Sequence, residues 1–214
     1  MKDKVKKIPK VLLRIGILLW IAVVLFLARE ETTADNDAMQ AQIAQKILRF
    51  HVIANSDSKE DQRVKLLVRD AVGNLMEERL LGAKNLEESR KIVAKNLDEI
   101  TQTATDTLAD AGYAYGATAS LEVTEFPEKT YGSYTFPAGK YEALCVVLGK
   151  GEGHNWWCVL YPNLCFRGSV YEIIDEDAKE ELKEVLDAEE YASIFRSGQV
   201  QPRLKFLEFF RKSS

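Results

Sequence analysis

The chain has 214 residues, 46% of them hydrophobic, which is enough to bury one sizeable core and too little for two. Its formal net charge is -4, but Lys2, Lys4, Lys6, Lys7, Lys10 and Arg14 against Asp3 alone give residues 1–14 a charge of +5, leaving -9 for residues 15–214. An acidic body of that size is repelled by phosphate backbones, so nucleic acid is excluded as the expected partner.

Ile15 to Ala28 (IGILLWIAVVLFLA) is an uncharged apolar run, extended upstream by Val11 to Leu13 past Arg14. As a helix, Val11 to Ala28 is about 27 Å long at roughly 1.5 Å per residue, close to the hydrocarbon thickness of a bilayer if Arg14 reaches back to the headgroups. A small-x-small cleavage site is poorly formed after it, so residues 1–29 read as a cytoplasmic basic stub and a transmembrane or signal-anchor helix. The basic flank stays inside and everything after Glu30 lies outside the cytoplasm. Residues 30–44, which include the polar stretch Glu30 to Gln40, read as a linker, and residues 45–214 as one extracytoplasmic domain. In such a compartment thiols oxidise, and Cys145, Cys158 and Cys165 allow one disulfide with one cysteine left over.

Ile47 to Ala54 (ILRFHVIA) predicts a strand that runs into the turn and cap residues Asn55, Ser56, Asp57 and Ser58. Val64, Leu67, Val68, Ala71, Val72 and Leu75 then recur on one face of a helix that stops near Gly82. Asn85 with Glu88 caps a longer helix carrying Val93, Leu97, Ile100, Ala104 and Leu108 and ending at Gly112. Ala117 to Val123 alternates as a strand closed by Pro127. Tyr141 to Leu148 and Asn155 to Tyr161 are strands joined by Gly149 to Gly153 (GKGEG), a hairpin signal. Asp175 to Ala188 and Leu204 to Arg211 predict two final helices. The order predicts an α+β domain with helices packed on a mostly antiparallel sheet.

No arrangement of residues points to catalysis, a metal or a cofactor. The glycines 149, 151 and 153 lie between strands with no helix N-terminus to receive a phosphate, and His154 and Cys158 on one strand stand about 13 Å apart. His51 reads as a structural histidine, Asp57 and Asp61 as helix-capping groups, and the signatures of the common hydrolases are absent. In a hairpin centred on Gly151, Cys145 faces Trp157 and lies one step from Cys158, while Cys158 and Cys165 flank a turn, so either bond is reachable. Trp156 and Trp157 point to opposite faces of their strand, which makes one of them a candidate surface anchor.

Leu48 to Ser58 (LRFHVIANSDS), Lys65 to Ala71 (KLLVRDA) and Gly153 to Phe166 (GHNWWCVLYPNLCF) together resemble the stage II sporulation protein R family. Asn163, where that pattern has a second proline, and the additional Cys145 are departures from it. The resemblance implies a non-enzymatic signal made in the forespore, membrane-anchored or secreted into the space between forespore and mother cell. There it would activate a membrane-embedded aspartic protease of the mother cell that removes the pro-segment of the sigma-E factor. It further implies a Cys158–Cys165 disulfide and a partner-binding surface of Asn55, Ser56, Asp57, Asn155, Trp156 and Trp157, with no small-molecule substrate. An envelope hydrolase or a structural component of a membrane complex are the competing classes.

Overall fold

The computed structural model describes residues 10–164 and 176–195. Six helices and six strands form among them: α1 (Lys10–Ala44), β1 (Leu48–Ile53), α2 (Lys59–Leu80), α3 (Leu86–Lys95), α4 (Leu97–Asp110), β2 (Ala117–Phe126), β3 (Lys129–Tyr131), β4 (Tyr134–Phe136), β5 (Gly139–Leu148), β6 (Asn155–Tyr161), α5 (Glu176–Val185) and α6 (Ala188–Ile194). The expected helix over Leu204 to Arg211 lies outside the described residues.

β1 is buried along its length apart from half-buried Ile53, as expected of a strand covered on both faces, and it is a central strand of a sheet ordered β2-β5-β1-β6. β1 runs parallel to β5 and antiparallel to β6, and β2 runs antiparallel to β5. The sheet is therefore mixed rather than mostly antiparallel. The expected β5–β6 hairpin is corrected by the same fact: the two strands are consecutive and antiparallel, but β1 lies between them. His51 faces both Cys145 and Trp157, while Cys158 faces Phe50. With β5 and β6 two strand spacings apart, roughly 10 Å, a Cys145–Cys158 bond is out of reach. Cys145 is a free buried thiol and Cys158 is disulfide-bonded. Cys165, its expected partner, lies outside the described residues.

One face of the sheet, with Leu48, Phe50, Val52, Leu144, Val146, Leu148, Trp156 and Leu160, packs on α2, α3 and α4 through Val64, Val68, Val72, Met76, Val93, Ile100, Ala104 and Leu108. The expected single helix after Asn85 is two. The Asn96 side chain donates to the Ile92 carbonyl at 2.6 Å, closing α3, and α4 restarts from Asn96.

The other face, with Tyr141, Ala143 and Val159, packs on Ile43 of α1, Phe136 of the β3–β4 hairpin, Leu182 of α5 and Ile194 of α6. Arg49 is fully buried on this face. Its guanidinium carbon lies 4.4 Å from the Phe126 ring centroid, 5.0 Å from that of Tyr141 and 5.4 Å from that of Phe136, and Nε donates to the Cys158 carbonyl at 2.9 Å. Among the described residues it is aromatic faces rather than a carboxylate that surround this cation.

The stretch read as a linker is helical: α1 continues through Ala44, Ile43 is fully buried, and Gln40 Nε2 donates to the Lys140 carbonyl at 2.9 Å. Part of the apolar run expected to span a membrane falls on side chains outside those described. Among the described residues no helix is long and apolar enough to cross a membrane.

Leu144 sits on β5 between β1 and β2 and is fully buried. Leu144→Ala is expected to lower unfolding free energy by about 2–5 kcal/mol, read from urea denaturation.

Candidate functional site

At the C-terminal end of β1 the chain turns through Asn55, Ser56 and Asp57 into α2. Ser58 caps the helix, its hydroxyl accepting from the Asp61 amide at 3.0 Å. The Asp61 side chain does not point along the helix. It is buried and accepts from Asn55 Nδ2 at 2.9 Å, Ser56 Oγ at 2.5 Å and Tyr115 Oη at 2.5 Å. Burial pushes its carboxyl up, but the hydrogen bonds from Ser56, Tyr115, Asn55 and Ser58 outweigh it and hold the group below its ordinary range. Asp61 thus ties the turn to the segment after α4.

The β5–β6 loop closes over this turn. The Gly153 amide donates to the Ala54 carbonyl at 2.9 Å, Glu152 to the Asn55 carbonyl at 3.2 Å, and the Lys150 amide to Asn55 Oδ1 at 3.0 Å. Gly149 (φ +55°) and Gly151 (φ +66°) adopt the left-handed backbone that lets the loop double back. At Gly153 the reason for glycine is contact: a Cβ there would lie 2.2 Å from the Ser56 carbonyl oxygen.

His154 follows directly. Its amide donates to Asp57 Oδ1 at 2.6 Å, and its ring Nδ1 makes a very close contact with the same oxygen. These bonds hold the Asp57 carboxyl below its ordinary value. The His154 and Asp57 side chains remain 80% and 55% exposed, so the pair is presented to solvent. Beneath it buried Lys65 donates to the His154 carbonyl at 2.8 Å and to Gln62 Oε1 at 2.6 Å, and Gln62 donates to the Ser56 carbonyl at 3.0 Å.

Four of the six residues expected to bind a partner, Asn55, Ser56, Asp57 and Asn155, meet at this end of the sheet, where Asn155 faces Ile53 in register. The two tryptophans diverge. Trp156 is buried against Phe50 at 5.5 Å between ring centroids, with the Arg69 guanidinium 5.2 Å above its ring. Trp157 is half-buried on the opposite face, stacked on His51 at 4.9 Å and 10° and packed against Phe126 at 4.7 Å. His51 is buried with neither ring nitrogen hydrogen-bonded, and burial, aided by the Arg49 charge, lowers its pKa to about 4. Its neighbour Cys145 is a buried thiol, which burial first and then Glu122 push up to about 12.

Sequence reasoning missed His154, Lys65, Asp61 and Tyr115 as members of the site. The available signal was the adjacency of a three-glycine loop to His154, but its partners are about ninety residues upstream. Among the described residues no group of three or more His, Cys, Asp or Glu is placed to hold a metal ion. The arrangement offers a rigid, exposed acid–imidazole pair on a pre-formed turn, suited to recognition.

A family model described as Stage II sporulation protein R matches residues 44–171, a span that holds β1 to β6 and every residue of the site. The curated "Stage II sporulation protein R" of Bacillus subtilis (strain 168) is 36% identical over 140 residues. That match covers 65% of this chain and 62% of the relative, so less than two thirds of the relative's length is spanned. No solved structure matches the chain.

Gly153→Ala is expected to cost about 1–3 kcal/mol by forcing the loop off the turn, measured as a lowered urea midpoint together with shifted amide resonances for Asn55 to Asp57. His51 yields a pH effect. Above pH 6.5 the ring is neutral in both states; as pH falls from 6.5 towards about 4 the unfolded chain takes up a proton that the folded chain does not, so stability falls. Between pH 7 and 5 this amounts to about 2 kcal/mol, a loss that His51→Leu should abolish in parallel denaturation curves.

Proposed function

Because the chain belongs to the stage II sporulation protein R family, we propose that it is an exported sporulation signal that activates a membrane-embedded aspartic protease of the mother cell, the enzyme that removes the pro-segment of sigma-E. In this reading the chain is not itself an enzyme. The observation that carries it is the exposed Asp57–His154 pair on a turn that Asp61, Lys65 and the glycine loop hold in one conformation, because a pre-organised surface loses little entropy on binding.

The proposed anchor is the N-terminal part of α1, where Leu18, Leu19, Trp20 and Phe26 are each more than 60% exposed, an apolar surface suited to lipid. The chain leaves α1 at the Leu48 end of β1 and reaches the turn at the Ile53 end, a strand length of roughly 20 Å farther on. With α1 in the forespore membrane, the turn faces away from that membrane and towards the mother cell.

Activation then needs only differential binding. If the protease exists in inactive and active arrangements, a ligand that fits the active one better raises its population without doing chemistry. Asp57 supplies a carboxylate and His154 a ring nitrogen for polar contacts, and half-buried Trp157, farther along β6, adds apolar area.

One observation favours the second reading, an envelope hydrolase: an aspartate beside a histidine is also the pairing that orients a general base. The two readings separate in a non-sporulating host expressing the full chain with the candidate protease and its pro-sigma substrate. Processing should require the chain, and Asp57→Lys with His154→Ala should cut it at least tenfold in folded, exported protein, while the protease's own catalytic aspartates remain essential. Processing that proceeds without the chain, or that ignores the double substitution, would overturn the proposal. Cleavage that survives loss of the protease aspartates but stops with His154→Ala would install the hydrolase reading.

A further inference from the structure

The far end of the sheet carries a second surface. Where α2 ends, β6 runs out at Tyr161 and α5 passes by, the chain leaves a cleft of about 460 Å³. It lies at the opposite end of β6 from Asn155, roughly 20 Å from the Asp57–His154 pair. Its apolar walls are Leu80, Leu81, Leu160 and Val185, and Leu81 is 74% exposed, a large cost in apolar surface for a residue left facing water.

Among the described residues its charged lining is mostly acidic: Glu77, Glu184 and Glu181, the last accepting from the Asn163 amide at 3.2 Å, with Lys84 as the basic member. The field of Glu181 and Glu184, with Glu88 beside them, adds to burial in raising the Tyr161 hydroxyl. Asn163 in the wall has a buried Oδ1 with no hydrogen-bond partner, an acceptor lacking a donor. An occupant therefore has to bring apolar surface, positive charge and N–H donors together. Lysine and arginine side chains on an apolar segment meet all three demands, their stems lying on the leucines and their heads reaching the carboxylates. Anionic headgroups would be repelled by the same carboxylates, which argues against a lipid occupant.

We propose that this cleft is a docking site for a partner protein segment that carries apolar and Lys or Arg side chains, separate from the surface at the other end of the sheet. The inference rests on the cleft's own chemistry and stands whether or not the protease reading does.

The test titrates the full chain, in neutral detergent, into two short fluorescein-labelled amphipathic peptides: one with leucines and arginines, the other with glutamates in place of the arginines. The arginine peptide should bind, and bind more weakly as salt rises. Glu77→Lys with Glu184→Lys should weaken it at least tenfold, as should Leu81→Asp, whereas Asp57→Ala should leave it unchanged. Glu77→Gln with Glu184→Gln covers the case in which charge reversal impairs folding, and should give a smaller loss in the same direction. Equal affinity for both peptides, no binding of either, or indifference to these substitutions overturns the proposal. Binding that emerges only after deletion of residues 196–214, which include Arg203, Lys205, Arg211 and Lys212, would assign the cleft to the chain's own basic C-terminal stretch and overturn the partner claim.

Discussion

β5 and β6 follow one another in the chain with only a short loop between them, yet β1 lies between them in space. The loop must therefore cross the end of β1, and nearly every feature of the candidate site follows from that crossing. Ala54 and Asn55 have carbonyls there that would otherwise lack ladder partners, and the loop amides of Gly153 and Glu152 take them up. The approach is close enough that no Cβ fits between Gly153 and the Ser56 carbonyl. Once the loop is seated, His154 is delivered to Asp57 by the backbone rather than by any local preference of either residue.

The same strand divides the core in two. Its even-numbered residues, Leu48, Phe50 and Val52, are all apolar and meet three helices, while its odd-numbered residues include Arg49 and His51, both buried. Burying a cation is costly unless other groups stabilise it; here three aromatic rings, the Cys158 carbonyl and the Tyr131 hydroxyl surround Arg49. That positive charge also helps keep His51 neutral, and the neutral ring stacks flat against Trp157. The half-buried Trp157 is thus positioned by the second core, and its orientation depends on the same buried residues that hold the face together.

The molecule offers two chemically different surfaces at the two ends of β6. One is a small polar pair on a rigid turn; the other is an apolar cleft with an acidic rim. Their separation by a strand length means that a single short peptide does not cover both, so a partner engaging the two would do so through distinct segments. On the proposed membrane anchoring, the cleft lies towards the α1 end and the turn away from it, an arrangement that would let a partner in an opposing membrane reach the turn first.

Local chemistry made many elements legible in the sequence. The β-branched and aromatic run of β1, the Ser58 and Asn85 caps and the alternation of β2 each depend on neighbours a few residues apart, and each appears where the sequence placed it within a few residues; the apolar stripes of α2 to α4 did so in part, since Leu67, expected on the buried face of α2, is exposed and the one helix expected after Asn85 is two. Legible in the same way were the opposite orientation of Trp156 and Trp157, which follows from strand geometry alone, and the family resemblance, which rests on contiguous motifs. The β3–β4 hairpin has a local signal too, in the Thr-Tyr-Gly-Ser-Tyr-Thr pattern. What sequence alone did not decide was pairing: a glycine-rich loop between two strands predicts a hairpin, and only the tertiary structure inserts β1 into it, because a strand apolar on one side and aromatic-caged on the other is buried best between two neighbours. The contacts that depend on that insertion, Asp57 with His154, Lys65 with the His154 carbonyl and His51 between Cys145 and Trp157, join residues far apart in the chain, and no local preference encodes them.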